Sequence, residues 1–311
     1  MPPRPLLLLA LALAPGACAG DPAPATGRPA DPGATGGYGG SLQQGGASGA
    51  GPAGSAGAAP VDCAGVGGEI HAITVDGLLV SFEPPTQRLT VRGQLTCPGI
   101  EQGVYSMAVD RQGQARVLLQ DGRLLQVDPL TLACRGTGYA PLQQGWQVFG
   151  MGYATTKAAG PAEALYVADA TRTALQQPGI ERGLARIDGQ RLTPVGAFDG
   201  GLTGRLAELT GRGDGRLFAF FVQEPSVAEI DPLTAHILSN TPVPVPTPTA
   251  WAFAHWGGAF YVFAAPGQAS SRLYRHRPGV EAGTLLLDTG FRIVGAGVST
   301  CAPLGDGPVA G

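Results

Sequence analysis

Lysine is almost absent: Lys157 is the only one in 311 residues, and arginine carries nearly all the positive charge. That bias points to a GC-rich, bacterial coding sequence. Charged residues make up 14% of the chain, against about 25% in ordinary domains. A formal net charge of −3 with no arginine cluster excludes a nucleic-acid partner. Helical periodicity is weak throughout, which argues against a helical protein. No Cys-x-x-Cys occurs and no cysteine has a histidine at ligand spacing, so no metal site is expected. No glycine-rich phosphate loop joins a strand to a helix, and no Gly-x-Ser-x-Gly sits at a strand–turn–helix junction. No cofactor is expected.

The two ends differ from the middle. Residues 1–18 carry one positive charge, Arg4, before an apolar run from Leu6 to Ala14, then small residues. The run is too short to span a bilayer and reads as a secretory signal peptide. Pro15-Gly16-Ala17-Cys18 resembles the bacterial lipobox, in which a small residue precedes a cysteine that becomes lipidated. Pro15 stands where that motif usually has Leu, and Ala17-Cys18-Ala19 offers ordinary cleavage after Ala19 as the alternative. The resemblance implies a lipid anchor on Cys18, and Ala19 after it resembles the outer-membrane class. The expected address is an outer-membrane lipoprotein, with a secreted or periplasmic soluble protein as the alternative. Residues 19–61 are Gly, Ala, Pro and Ser with few large apolar side chains, too few to offset the entropy of ordering. Such a tether of about 43 residues reaches roughly 35–40 Å as a random coil. Residues 304–311 read as a flexible tail.

Residues 62–303 repeat one unit. The tetrapeptide Asp-Pro-Leu-Thr occurs at Asp128 and again at Asp231, each time after a short apolar run. The segment from Ala115, ARVLLQDGRLLQVDPLTLACRG, overlays the segment from His71, HAITVDGLLVSFEPPTQRLTVRG. Both read strand, Asp-Gly turn, strand, Pro turn, strand. The order returns from Ala164, Leu217 and Ala259. Four units are preceded by a strand rich in small residues, at Tyr105, Phe149, Leu206 and Trp251. The first unit has none, and the chain end supplies it from Ile293. Aligning Met107, Met151, Glu208, Phe253 and Ala296 gives spacings of 44, 57, 45 and 43 residues. The long interval holds an insertion between Asp169 and Arg182. The window from Ala250, AWAFAHWGGAFYVFAA, is broken by Gly257-Gly258 and reads as two buried strands joined by a tight turn.

This pattern resembles a β-propeller: all-β, five four-stranded blades, closed by the C-terminal strand. Six blades result if the insertion hides further strands. The Asp-Pro-Leu-Thr turns then join the third and fourth strands of a blade, with Pro setting φ and Asp capping the turn. Glu83-Pro84-Pro85-Thr86 and Ile187-Asp188-Gly189 fill the same place elsewhere. With Cys18 set aside, Cys63, Cys97, Cys134 and Cys301 remain, an even number that implies two disulfides. Cys63 precedes the first blade and Cys301 follows the closing strand, so a Cys63–Cys301 bond would lock the ring. Four cysteines allow three pairings; with that bond made, Cys97 and Cys134, near the outer strands of blades one and two, would be left as the other pair.

Propellers usually work at the ends of the central channel. The loops after the innermost strands carry Asp110, Arg111, Arg212, Asp214, His255, Trp256, Ser299 and Thr300, and the strands carry Tyr153 and Glu208. Tyr153, Arg212, Asp214 and Trp256 are the candidate binding residues. Glu208 occupies a position where the other blades place Met, Met, Phe and Ala, and its ordinary explanation is an ion pair with Arg205 or a solvated channel wall. Asp110 and Glu208 could supply the carboxylate pair of glycoside hydrolysis, with His255 beside them. His236 and His276 fall on outer elements and are expected at the surface. Arg212-Gly213-Asp214 spells an adhesion tripeptide but suits a turn. The expected function is a monomeric binding or scaffold module for a protein or glycan ligand, held at the envelope by its lipid. The competing expectation is a channel-site enzyme, a polysaccharide hydrolase or lyase or a quinone-type dehydrogenase, using Glu208, Asp110 and His255.

Overall fold

A computed structural model describes residue 63 and residues 65–171 and 182–305. The signal peptide, Cys18, the 19–61 linker, the centre of the insertion and residues 306–311 of the expected tail lie outside the described residues. Among the described residues, twenty strands form five four-stranded antiparallel sheets. Blade one contains β1 (Ile70–Thr74), β2 (Leu78–Glu83) and β3 (Arg88–Gln94). Blade two is β4 (Val104–Val109), β5 (Ala115–Leu119), β6 (Leu124–Val127) and β7 (Cys134–Gly136). Blade three is β8 (Phe149–Thr155), β9 (Glu163–Asp169), β10 (Leu184–Asp188) and β11 (Arg191–Gly196). Blade four is β12 (Ala207–Gly211), β13 (Leu217–Phe221), β14 (Ser226–Ile230) and β15 (Ile237–Pro242). Blade five is β16 (Ala250–Trp256), β17 (Ala259–Ala265), β18 (Arg272–Arg277) and β19 (Glu281–Asp288). The last strand, β20 (Ile293–Gly297), returns to pair antiparallel with β1 and completes blade one. The protein is a five-bladed β-propeller.

Burial explains the strand sequences. Each sheet is covered on both faces by its neighbours, so middle strands read as continuous apolar runs and not as alternating ones. LFAFF in β13 and AFYVFAA in β17 are buried at every position. Outer strands such as β3, β15 and β19 are mostly exposed or half-buried and carry the polar residues. The apolar core is divided accordingly into five clusters, each filling the gap between two successive blades. Phe82, for example, packs with Tyr261 across the joint between blades one and five.

The innermost strands approach edge to edge, and glycine makes this geometry feasible. A Cβ on Gly150 of β8 would lie 2.2 Å from the carbonyl oxygen of Ala207 on β12, and one on Gly297 of β20 would lie 2.6 Å from the Val109 nitrogen on β4. The small residues of these strands are thus a packing requirement of the axis.

The repeated tetrapeptide behaves as a turn. Asp128 Oδ1 accepts from the Leu130 and Thr131 amides, and Asp231 Oδ1 accepts from Leu233. Each turn closes one residue further on, where the amide of Leu132 or Ala235 donates to the Asp carbonyl. Leu132, Ala235 and the equivalent Gln87 all take left-handed backbone at φ 62, 67 and 54, an energetic cost the hydrogen bonds offset. Gly257 and Gly258, at φ 57 and 74, form the two-residue turn between β16 and β17.

Both disulfides join the expected partners. Cys63–Cys301 spans 238 residues and Cys97–Cys134 spans 37. Bonds of this kind are the mark of a chain that folds in an oxidising compartment. No helix among the described residues is long and apolar enough to cross a membrane.

Candidate functional site

The two ends of the axis differ. At the end where the innermost strands finish, loops from several blades are laced together around Arg111, which is 2% exposed. Its amide donates to Glu163 Oε1 at 2.7 Å, and Thr300 Oγ1 donates to the other oxygen of that carboxylate at 2.9 Å. The Arg111 guanidinium reaches the Gly160 carbonyl at 3.2 Å and the Cys63 sulfur at 3.4 Å, and Ser299 Oγ donates to the Arg111 carbonyl. Trp256 Nε1 donates to the Gly67 carbonyl, which fastens the first described residues onto blade five.

Most residues singled out from the sequence sit at this laced end. Asp110 accepts from the amides of Gln112 and Gln114 and pairs with Arg116 at 3.6 Å. Burial pushes its carboxyl up. Arg212 and Asp214 pair with one another at 2.7 Å within the β12–β13 turn, and Arg212 also lies 5.9 Å from the Phe218 ring centroid. Tyr153 is half-buried on β8, and burial raises its phenol. His255 is 2% exposed, lies parallel to Phe218 and edge-on to Phe260, and its backbone amide donates to Thr210 Oγ1. Burial, reinforced by Arg212 and Arg216, lowers its pKa to about 3. It is a neutral ring filling the wall between blades four and five. His236 is exposed and bonds Asp199, as a surface residue does. His276 departs from its expected surface position: it is 2% exposed, because that side of β18 faces Phe260 and the core shared by blades four and five.

The other end, where the innermost strands begin, holds a cavity of about 580 Å³. Tyr105, Gln120, Gln147, Thr171, Trp251 and Glu208 are among its lining. Glu208 projects inward from β12 and is 2% exposed. Its Oε1 accepts from Ser106 Oγ on β4 at 2.6 Å and from the Met151 amide on β8 at 2.9 Å. Arg205 does not pair with it; Arg205 bonds Glu224 instead, and burial rules out a solvated wall. Both simple explanations are therefore replaced by a buried carboxyl joining three blades. Loss of solvation drives its pKa up to about 8, against the opposing effect of the hydrogen bonds. At neutral pH it is chiefly the protonated acid.

The structure does not bring Asp110 and Glu208 together. Ser106, the partner of Glu208, precedes Asp110 by four residues on an extended chain, about 13 Å at roughly 3.3 Å per residue. His255 lies at the same end as Asp110. Among the described residues, no group of three or more His, Cys, Asp or Glu side chains could hold a metal ion.

Sequence reasoning passed over Tyr105, Trp251 and the two glutamines. The signal for the first two was in the aligned innermost strands. Two residues before the Met107–Glu208–Phe253–Ala296 position stand Tyr105, Leu206, Trp251 and Val294, all of which line the cavity. A spacing of two keeps side chains on one side of a strand. Gln120 and Gln147 lie in connections between strands and had no such signal.

No protein-family model matches this chain, and no curated protein sequence does. Among solved structures, it is similar to a chain of a nidogen/laminin complex at 8% identity and a TM-score of 0.46, covering 74% of this chain and 97% of that one. It is also similar to TolB from Acinetobacter baumannii at 9% identity and a TM-score of 0.40, covering 75% of this chain and 55% of that one. At these identities and scores the likenesses bear on neither activity nor partner.

Proposed function

We propose that this propeller is a binding or scaffold module of the bacterial envelope that takes a protein or glycan ligand at the axial end that holds the cavity. The observation that carries the reading is the asymmetry of the axis: one end is laced shut around Arg111, and the other holds a cavity with a single carboxyl group among its described lining residues. Hydrolysis of a glycosidic bond by the usual route needs two carboxyl groups flanking one site. Glu208 has no such companion among the described lining residues, which favours recognition over catalysis.

The leader and linker complete the proposal. Residues 1–18 direct export, Cys18 carries the lipid that holds the chain at the outer membrane, and residues 19–61 tether the propeller as a monomer. The two disulfides support an extracytoplasmic address. Metabolic labelling with a fatty-acid analogue tests the anchor. Label should enter the natural chain and be lost in Cys18→Ser; equal labelling of both would remove the lipid from the proposal. For the binding role, a photo-crosslinking residue at position 251 in the full chain should capture an envelope component more strongly than one at position 212. Capture from position 212 alone would move the site to the laced end.

A further inference from the structure

We propose that the axial cavity is a carbohydrate site that seats an uncharged sugar unit, its ring face against Trp251 and its hydroxyls toward Gln120 and Gln147. This rests on the reading of the propeller as a binding module and names the ligand class of the same site.

Three features of the cavity favour such a ligand. Its volume, about 580 Å³, falls within the roughly 300–1,000 Å³ of small-molecule sites. Its lining is divided by chemistry. Tyr105 on β4, Val294 on β20 and Trp251 on β16 come from successive innermost strands around the axis and form an aromatic and aliphatic arc. Gln120 and Gln147, from blades two and three, supply side-chain amides, while the Thr171 hydroxyl is held by the Gln147 and Val148 backbone. Gln147 Nε2 already donates to the Gln120 backbone carbonyl at 3.2 Å, which fixes one amide in place. The side-chain amide of Gln120 makes no hydrogen bond among the described residues. A sugar ring has the matching division, with C–H groups on its face and hydroxyls at its edge. The electron-rich faces of aromatic rings attract such C–H groups, and an amide both donates to and accepts from a hydroxyl.

The third feature is charge. An anionic ligand would meet no basic side chain among the described lining residues. An ammonium ligand would find aromatic rings but no ready carboxylate among the described lining residues, because burial favours the protonated form of Glu208. As a neutral acid, Glu208 offers both an O–H donor and an acceptor. Its Oε1 is occupied by Ser106 and Met151, so hydroxyl partners suit what remains.

Maltose, cellobiose, lactose and diacetylchitobiose are the neutral probes, with glucuronate and tetramethylammonium as charged ones. Each is titrated into the full-length protein and followed by calorimetry and tryptophan fluorescence. At least one neutral probe should bind saturably. Trp251→Ala should weaken that binding about tenfold or more, and Gln147→Ala severalfold, in proteins whose melting shows them folded. Trp251→Phe keeps an aromatic face and should fall between. Failure of all four neutral probes, binding of charged probes alone, or binding indifferent to both substitutions would overturn the inference. The wider reading fails separately. If no sugar binds but position 251 captures an envelope protein, the binding module stands and the sugar site falls. If a neutral sugar binds and is cleaved, the sugar site stands and the non-catalytic role falls.

Discussion

Glu208→Gln should change how the stability of this protein depends on pH while leaving the axis intact. The amide is close to isosteric, and its oxygen can accept from Ser106 and Met151 as the carboxyl does. In the natural protein the folded state holds the Glu208 proton up to about pH 8. The unfolded chain releases it near the ordinary glutamate value of 4.5. A folded-state pKa raised above the unfolded one gives stability that is complete below 4.5 and is lost as pH rises through about 8. At about 1.4 kcal/mol per pH unit, the loss amounts to roughly 3 kcal/mol by pH 7 and about 5 kcal/mol beyond pH 8. Against a total of about 5–15 kcal/mol for a typical domain, that is a large share. Urea unfolding followed by tryptophan fluorescence, at intervals from about pH 5 to about pH 9, measures it. Other buried carboxyls, Asp110 and Glu163 among them, titrate in both proteins and cancel in the comparison. The natural protein should lose stability relative to Glu208→Gln by several kcal/mol across this range. Parallel curves would refute the burial argument and, with it, the neutral acid at the base of the cavity.

Two further predictions concern the ring. The chain-entropy argument gives about 5 kcal/mol for closing the long Cys63–Cys301 loop and about 4 kcal/mol for Cys97–Cys134. Replacing each pair with alanine should therefore lower the urea midpoint more for the seam pair than for the other, and the reverse order would refute the entropic ranking. Gly150→Ala should cost about 3 kcal/mol or more, because its Cβ meets the backbone of a neighbouring strand. Gly68→Ala, with nothing within 4 Å of the added carbon, should stay within about 0.5 kcal/mol, as thermal melts of the two variants would show.

The blades were legible because their information is local. An Asp-Gly or Asp-Pro turn declares itself within four residues, and a strand buried on both faces declares itself within seven. Spacing in sequence then fixed the blade count, and the strand missing from the first unit located the seam. The site was less legible because its geometry depends on contacts far apart in the chain. Ser106 and Glu208 are 102 residues apart, Arg111 and Ser299 are 188 apart, and Gly67 and Trp256 are 189 apart. Which end of the axis is laced shut follows from the latter two contacts, and no periodicity reports them. His276 shows the same limit on a smaller scale. Its strand reads as an outer one, but the face it presents is set by Phe260 on the neighbouring strand.

The disulfide at the seam also decides how this protein responds to being pulled. β1 and β20 are antiparallel, and Cys63 and Cys301 lie at the same end of that pair. Tension on the chain ahead of Cys63 would otherwise peel β1 away one hydrogen bond at a time, the weak direction for a strand. The covalent link transmits that tension to both strands together, so β1 cannot be peeled from β20 alone while the bond holds. A reductant would turn the same junction into the point where the ring unzips. The joint is a mechanical fuse whose rating is set by the redox state of its surroundings.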